Sequence, residues 1–325
     1  MTPLPKPPEG AAASKGLGGL NGRILRLSRN VQQLARSTAF YETRLGFVRY
    51  GPPETLASTL AGLWGPSNRL LERQRLRLGT SELELVGVGD VGGASYPADS
   101  RADDLWFQHF AIRCPDLEQA FSRLYRPGPA APLPQAITRG EDGAPCPILL
   151  PARSGGVTAF KFRDPDGHPV ELLGFPAPLG MGADTRQAGI DHSAISVANA
   201  AASIRFYHQW LGFTADAQQR NAGIEQARLD GVPGARVDVV ALQSSSGGAP
   251  HLELLGYHPA PGDGKRGANK ADGPSDIASD RLVIQVEDLD ALRHAWRAAA
   301  LPIEASSPDA LLVRDPDRHL LMLTR

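Results

Sequence analysis

The chain places His and Glu side chains at positions typical of strands. His109 opens the alternating segment His109-Phe-Ala-Ile-Arg-Cys, and Glu171 lies within Pro169-Val-Glu-Leu-Leu-Gly. Because side chains alternate across a strand, His109 and Glu171 can both point away from the apolar face that packs under helices. Glu84, in Glu82-Leu-Glu-Leu-Val-Gly, has the equivalent position. Imidazole and carboxylate groups bind Zn, Fe, Mn, Ni or Co and leave positions open for a substrate. The pattern therefore indicates a divalent-metal site.

These segments belong to an internal repeat. Residues 109–116, 192–199 and 281–288 each alternate apolar residues with period two and then reach Asp or Asn, which are good helix N-caps. Each segment predicts a strand that leads into an amphipathic helix, and a fourth copy comes first in the chain. The predicted helices cover residues 34–47, 117–125, 200–211 and 289–299. The first and third copies match closely and end on Leu-Gly-Phe, where Gly suits a left-handed helix stop.

The closing strands also repeat. Residues 82–88, 169–175 and 251–257 are nearly the same sequence three times, whereas the fourth copy, at 319–324, breaks the pattern. Asp164-Pro-Asp-Gly and Asp315-Pro-Asp-Arg precede two of these strands and are turn sequences. We therefore expect hairpins that close both modules.

The repeat predicts an α+β fold of four βαβββ modules in two tandem domains, each a curved mixed sheet around a cup. A chain of 325 residues is longer than a single core usually grows. We expect a first domain at 22–176 and a second at 189–325. The modules are predicted at 22–90, 105–176, 189–258 and 278–325. For the remainder, the composition predicts a disordered tail at 1–21, a Pro- and Gly-rich linker at 177–188, and loops at 127–135 and 259–275.

Composition and charge restrict the classes of partner that the chain is expected to bind. A formal net charge of −1 argues against nucleic acid, and no apolar run approaches the length of a membrane span. Without an apolar leader, cytoplasmic localisation is the expectation. Cys114 and Cys146 are too few for a disulfide framework, and Cys114 reads as a buried thiol. The expected partner is a small-molecule substrate. Whether the chain forms a homodimer is left open by the sequence.

The chain resembles the vicinal oxygen chelate superfamily, which includes glyoxalase I, extradiol dioxygenases and fosfomycin- and bleomycin-resistance proteins. The resemblance rests on Phe40-Tyr41 with Leu45-Gly-Phe47, on their copy at 206–213, and on Asp164-Pro-Asp-Gly-His-Pro-Val-Glu171. It covers roughly residues 23–325. It implies paired modules that form a cup around one metal ion, which chelates two neighbouring oxygens of the substrate.

The resemblance assigns ligand positions in each domain. In the first domain they are occupied by an Arg, Glu84, His109 and Glu171. Counting back from Phe40-Tyr41 makes the Arg Arg26, whereas spacing from Asn30 would select Arg23; we prefer Arg26. Since a guanidinium cannot bind a cation, Arg26 is expected to pair with Glu84 or with a substrate carboxylate. His109, Glu171 and Glu84 then form the predicted metal site.

The second domain matches less well. It supplies His192 and Glu253, but Arg281 and Met322 occupy the other two positions. We therefore expect a structural or degenerate domain in which His192 and Glu253 are the weaker candidates. His168 and His319 follow turns and have the wrong parity, which predicts loop residues.

Three functions compete. The first is a metal-dependent lyase, isomerase or dioxygenase in which the ion polarises substrate oxygens, with Glu84 as proton shuttle and Arg26 as the other catalytic residue. The second is a metal-free protein that sequesters a small molecule, as bleomycin-resistance proteins do, for which Arg26 is the best support. The third is an inactive scaffold with a filled cup. Metal content distinguishes the first two.

Overall fold

The computed structural model describes residues 21–65, 70–89, 93–127, 131–176, 188–244, 246–258 and 273–325. The predicted tail and linker lie outside the described residues except for Asn21 and Ala188, as does most of the loop predicted at 259–275. Among the helices that the structure describes, none is long and apolar enough to cross a membrane.

Four strand-helix-strands modules follow one another along the chain. The first contains β1 (Gly22–Val31), α1 (Leu34–Leu45), β2 (Val48–Arg49), β3 (Glu54–Thr55), α2 (Ser58–Ala61), β4 (Glu72–Leu78) and β5 (Ser81–Gly87). The second contains β6 (Gln108–Arg113), α3 (Leu117–Leu124), β7 (Gln135–Ala136), β8 (Ile148–Leu149), β9 (Thr158–Arg163) and β10 (Pro169–Gly174).

The third module contains β11 (Gly189–Ser196), α4 (Ala200–Leu211), β12 (Thr214–Ala222), α5 (Ile224–Asp230), β13 (Arg236–Gln243) and β14 (His251–His258). The fourth contains β15 (Asp280–Val286), α6 (Leu289–Ala298), β16 (Ala305–Ser306), β17 (Ala310–Arg314) and β18 (Leu320–Thr324). Short 3-10 helices cover Gly62–Trp64 and Ala152–Ser154. The predicted α+β class is confirmed.

The helix ends follow the sequence. The side chains of Asp116, Asn199 and Asp288 accept hydrogen bonds from backbone N–H groups three residues later and so cap α3, α4 and α6. Gly46 and Gly212 end α1 and α4 in the left-handed region, with φ of 78° and 69°. The local signals therefore determine where these helices begin and end.

Two nine-stranded sheets contain all four modules. One runs β16-β17-β18-β15-β1-β5-β4-β2 with β3 beside β4, and the other runs β12-β13-β14-β11-β6-β10-β9-β7 with β8 beside β9. β1 pairs antiparallel with β15, and β6 pairs antiparallel with β11. The first module therefore shares its sheet with the fourth, and the second with the third.

This pairing corrects the expected partnership of consecutive modules. We expected modules 22–90 and 105–176 to enclose one cup and modules 189–258 and 278–325 to enclose another. Each sheet instead contains one module from before the predicted linker and one from after it. This is because the first strand of each module pairs with the first strand of a module that is not its expected partner. The residues that can share a cup change accordingly.

The predicted hairpin turns connect the two sheets. The Tyr41 hydroxyl donates a 2.7 Å hydrogen bond to Asp164 of the first turn, and the Tyr207 hydroxyl donates a 3.0 Å hydrogen bond to Asp315 of the second. His168 and His319, predicted as loop residues, are buried beside these turns and contact carboxylates. Their role in the structure is to connect buried elements.

One hydrophobic core lies between the sheets and the helices. It includes aromatic side chains from every module, among them Phe40, Phe110, Tyr207 and Trp296. Cys114 is buried at its edge, as predicted, and burial raises the pKa of its thiol to about 12. The opposite face of each sheet remains available to line a cup.

Candidate metal centre

The register at the middle of the second sheet brings two histidines together. β6 and β11 run antiparallel, so that His109 lies opposite Ala194, and His192 lies opposite Ala111. Since the alanines have small side chains, the two imidazoles lean over the centre of the sheet, with ring centroids 5.7 Å apart. The histidines come from the second and third modules.

Each histidine strand has a glutamate strand beside it. Glu171 of β10 pairs with Ala111, and Glu253 of β14 pairs with Ala194. Both pairs are parallel, and alternation along the strand places each carboxylate on the same face as the neighbouring histidine. The centre therefore has a nearly two-fold arrangement of two imidazoles and two carboxylates, which we call the histidine cup.

The donor atoms of this cup converge. His109 Nε2 lies 3.0 Å from Glu171 Oε2, and His192 Nε2 lies 3.8 Å from the same oxygen and 3.6 Å from Glu253 Oε2. The donor atoms of His109, Glu171 and His192 all lie within 4.8 Å of one another. Within the described part of the chain, the buried His192 Nε2 has no hydrogen-bond partner. A buried nitrogen without a partner, aimed at two carboxylates, is the geometry of a metal ligand.

A buried lysine sets the charge on one side. β9 places Lys161 beside Glu171, and the Lys161 ammonium binds Asp230 at 2.6 Å. Burial raises the pKa of Glu171, but Lys161 and His109 outweigh it and hold the pKa well below its usual range. Burial and Lys161 together lower the pKa of His109. The charges thus favour a carboxylate and a neutral imidazole, which are the forms that bind metal.

The side of the histidine cup around His192 carries more carboxylates. His192 Nδ1 lies 3.1 Å from Asp191 Oδ2, and His251 Nε2 lies 3.5 Å from Glu253 Oε1. Burial lowers the pKa of His192, but Glu253, Asp191 and Glu171 raise it to about 10. A cation at His192 is therefore strongly favoured here. A metal ion would supply the same positive charge.

The histidine cup opens into a cavity of about 310 Å³. The donor residues lie at its floor, and apolar side chains form much of its wall; these include Leu150, Val157, Leu173, Val237, Val239 and Leu255. The short helix α5 supplies Gln226 and Leu229 at one side. An apolar wall above a few charged groups is the usual design of a small-molecule site.

The structure does not bring Glu84 or Arg26 into this cup. Both lie on the first sheet, where Arg26 is opposite Val283 and Glu84 is beside Ser28. Arg26 therefore has the same place in the first sheet as His109 has in the second, where His109 lies opposite Ala194. This supports Arg26 over Arg23 as the residue at the ligand position. Arg26 pairs with Glu84 at 3.4 Å, as the sequence suggested.

The predicted metal site is therefore corrected in one member. Glu84 lies on β5 in the first sheet, whereas His109 and Glu171 lie in the second sheet, so Glu84 cannot join them at one metal ion. Their nearest chemical partners are His192 and Glu253, which we expected to be degenerate. The error comes from the assumption that modules adjacent in sequence share a cup.

Several polar residues of the cavity were missed by sequence reasoning, and three of them left a signal. His251 lies two residues before Glu253 and so faces the same side of β14. Asp191 directly precedes His192, at a bulge in β11. Lys161 is a charged residue between the apolar Phe160 and Phe162 of β9.

Comparisons with known proteins agree with the fold. Residues 189–323 match the family model described as Glyoxalase/Bleomycin resistance protein/Dioxygenase superfamily. Glyoxalase I from Zea mays is 17% identical, with a TM-score of 0.57 over 94% of this chain and 92% of that one. A putative dioxygenase from Bacillus subtilis is 10% identical, with a TM-score of 0.50 over 94% and 86%. No sequence match was found among functionally curated proteins.

Proposed function

We propose that this chain, which carries a domain of the glyoxalase, bleomycin-resistance and dioxygenase superfamily, is a metal-dependent enzyme acting on a small oxygen-rich molecule in the histidine cup. One observation carries the proposal. Donor atoms of His109, Glu171 and His192 lie within 4.8 Å of one another in the lining of a cavity, and Glu253 Oε2 lies 3.6 Å from His192 Nε2. The buried His192 Nε2 lacks a hydrogen-bond partner among the described residues.

The residues fit one divalent ion. Two imidazoles and two carboxylates suit Fe, Zn, Mn, Ni or Co. Asp191 orients His192 through Nδ1 at 3.1 Å, which is the usual support of a metal-bound histidine. When bound, the ion would act as a Lewis acid that polarises two neighbouring oxygens of the substrate.

Glu253 is the best proton acceptor of the set. Glu171 is held by Lys161 and by the 3.0 Å contact with His109, whereas Glu253 lies 3.5 Å and 3.6 Å from its two histidine neighbours. A carboxylate with loose contacts can turn toward a substrate C–H or O–H group and take a proton. His251, on the same strand face, is placed to hold the protonated form.

The donor set favours a lyase or isomerase over a dioxygenase. Oxygenases of non-haem iron typically use two histidines and one carboxylate, which leaves positions open for both substrate and oxygen. Here a second carboxylate, Glu253, is present. We therefore expect proton transfer next to a metal-bound carbonyl, without consumption of oxygen.

Elemental analysis tests the metal. Protein purified without added metal should hold about one divalent ion per chain. A His109→Ala, Glu171→Ala double variant and a His192→Ala variant should lose it, whereas Glu84→Gln should keep it. Absence of metal after reconstitution would overturn the proposal and favour the sequestering function.

The reaction class needs a second measurement. The metal-loaded protein is incubated in D₂O with a small α-hydroxyketone, and exchange of the carbon-bound hydrogen is followed by NMR while an electrode records oxygen. At a metal concentration that saturates both proteins, exchange in wild type that Glu253→Gln abolishes, without oxygen uptake, is the expected result. Oxygen uptake instead would identify the dioxygenase class.

A further inference from the structure

The first sheet contains a second cup at the place that corresponds to the histidine cup. Arg26 lies opposite Val283 as His109 lies opposite Ala194, and Arg281 lies opposite Ser28 as His192 lies opposite Ala111. The two remaining positions hold Glu84 and Met322. We call this the arginine cup. Side-chain cations occupy both positions where the other cup has imidazoles.

Three guanidinium groups, those of Arg26, Arg73 and Arg281, lie around the Glu84 carboxylate, and Arg73 also binds Glu54 at 2.8 Å. Glu84 is fully buried and contacts two guanidinium groups, Arg73 at 3.1 Å and Arg26 at 3.4 Å. Arg281 is buried as well, with its guanidinium 4.4 Å from the centroid of the Trp64 ring. Arg73 donates a hydrogen bond to Glu84, so that this carboxylate already has a partner without Arg26.

Arg26 is the cation available for a ligand. No hydrogen bond from its side chain to another described residue is present, and its buried Nε faces Glu84 Oε2 without a hydrogen bond. Its one ion pair, at 3.4 Å to Glu84, is longer than a charge-assisted hydrogen bond. An unsatisfied guanidinium in a partly buried site strongly favours an anion with two oxygens.

The lining of the arginine cup is part apolar and part charged. A cavity of about 250 Å³ joins Arg26, Arg73 and Glu84 to the apolar side chains of Leu56, Leu60, Trp64 and Met322. Thr324, Asp309 and Arg325 also line it, and the last two pair with each other at 3.4 Å. Its volume is just below the usual range of small-molecule sites, which starts at about 300 Å³, so it suits a compact ligand. A ligand that fits this cavity needs one polar end and an apolar body.

We propose that the arginine cup binds a small organic monocarboxylate without metal. The ligand carboxylate pairs with Arg26, and its apolar body lies against Trp64 and Met322. The chain then uses its two cups differently. One has donors for a metal ion, and the other presents fixed guanidinium groups to an anion.

Matched pairs of probes test the charge requirement. Benzoate, phenylacetate and hexanoate are each compared with the corresponding amide, by calorimetry on full-length protein treated with EDTA. At least one carboxylate should bind at least about tenfold more tightly than its amide, because the amide cannot form the charge-assisted pair with Arg26. Binding of no carboxylate in this set, or equal binding of acid and amide, overturns the proposal.

Variants locate the site. Arg26→Gln should weaken carboxylate binding by about tenfold or more, and Arg26→Lys should retain part of it, since Lys keeps the charge but lacks the fork. Melting curves check that both variants fold. A His109→Ala, His192→Ala double variant should bind the carboxylate as wild type does. Loss of binding in that double variant, with Arg26→Gln unaffected, would place the anion in the histidine cup and overturn the proposal independently of metal binding.

Discussion

The sharpest test of the module pairing compares two glutamates that match in sequence but lie in different cups. Glu253→Gln removes one donor of the histidine cup, whereas Glu84→Gln removes the matching carboxylate of the first sheet. Each substitution replaces one carboxylate oxygen with an amide nitrogen, which removes the negative charge and leaves the size of the side chain nearly unchanged. The measured quantity is the rise in melting temperature on adding metal to each metal-free protein.

The expected magnitudes follow from binding linkage. Metal at about a hundred times its Kd adds about 2.7 kcal/mol to the unfolding free energy. For 325 residues the unfolding entropy is about 0.7 kcal/mol per degree, so wild type should gain about 4 °C. Loss of a group that merely orients a ligand costs 10–100-fold in affinity, and loss of a donor should reach the upper figure. Glu253→Gln should then gain about 0.6 °C at the same metal concentration.

Glu84→Gln serves as the matched control. It breaks the ion pairs with Arg26 and Arg73, so its metal-free melting temperature should fall. Its rise on adding metal should nevertheless stay near that of wild type. Differential scanning calorimetry at fixed metal concentration measures both quantities. A rise retained in Glu253→Gln, or lost in Glu84→Gln, would refute the assignment of the metal to the histidine cup.

Three further predictions concern stability. Asp230→Asn replaces the carboxylate that binds the buried Lys161 ammonium at 2.6 Å with a neutral amide, and this loss of countercharge should cost about 3–5 kcal/mol in urea unfolding; a loss below 1 kcal/mol would show that Lys161 is solvated. Tyr41→Phe deletes a buried hydroxyl that accepts from Arg29 at 2.7 Å, and equilibrium unfolding should show a loss of about 1–3 kcal/mol. Burial raises the pKa of Asp280, but Arg29 and a buried histidine lower it to about 2. Because this folded pKa lies below the unfolded value, Asp280 stabilises the protein above pH 4, and about 2–3 kcal/mol should be lost as the pH falls from 4 toward 2. A curve of unfolding free energy against pH should lose this acid limb in Asp280→Asn, and an unchanged limb would contradict the assignment.

Local features of the fold could be predicted from the sequence because they depend on short-range rules. Capping residues such as Asp116 and Asn199 are where helices begin, and Gly46 and Gly212 are where helices end. The alternation around His109 correctly predicts which side chains face the cup. These signals act over a few residues, so one sequence contains them in full.

The candidate site was only half predictable. His109 and Glu171 were correctly placed on one face of neighbouring strands, and they lie 3.0 Å apart. Their further partners could not be chosen from alternation, since His192 with Glu253 and Arg26 with Glu84 fit the pattern of a neighbouring module equally well. That choice depends on which strand lies beside β6.

The sequence by itself determined four repeated modules, their helix limits, the parity of each strand and the residue types on each concave face. The tertiary structure alone decided that β6 pairs with β11 and β1 with β15. The physical reason is that parity is set by backbone geometry within one strand, whereas the partner of an edge strand is set by contacts summed over residues far apart in the chain. Four similar edges offer several pairings, and the pairing adopted places both histidines in one cup and both arginines in the other.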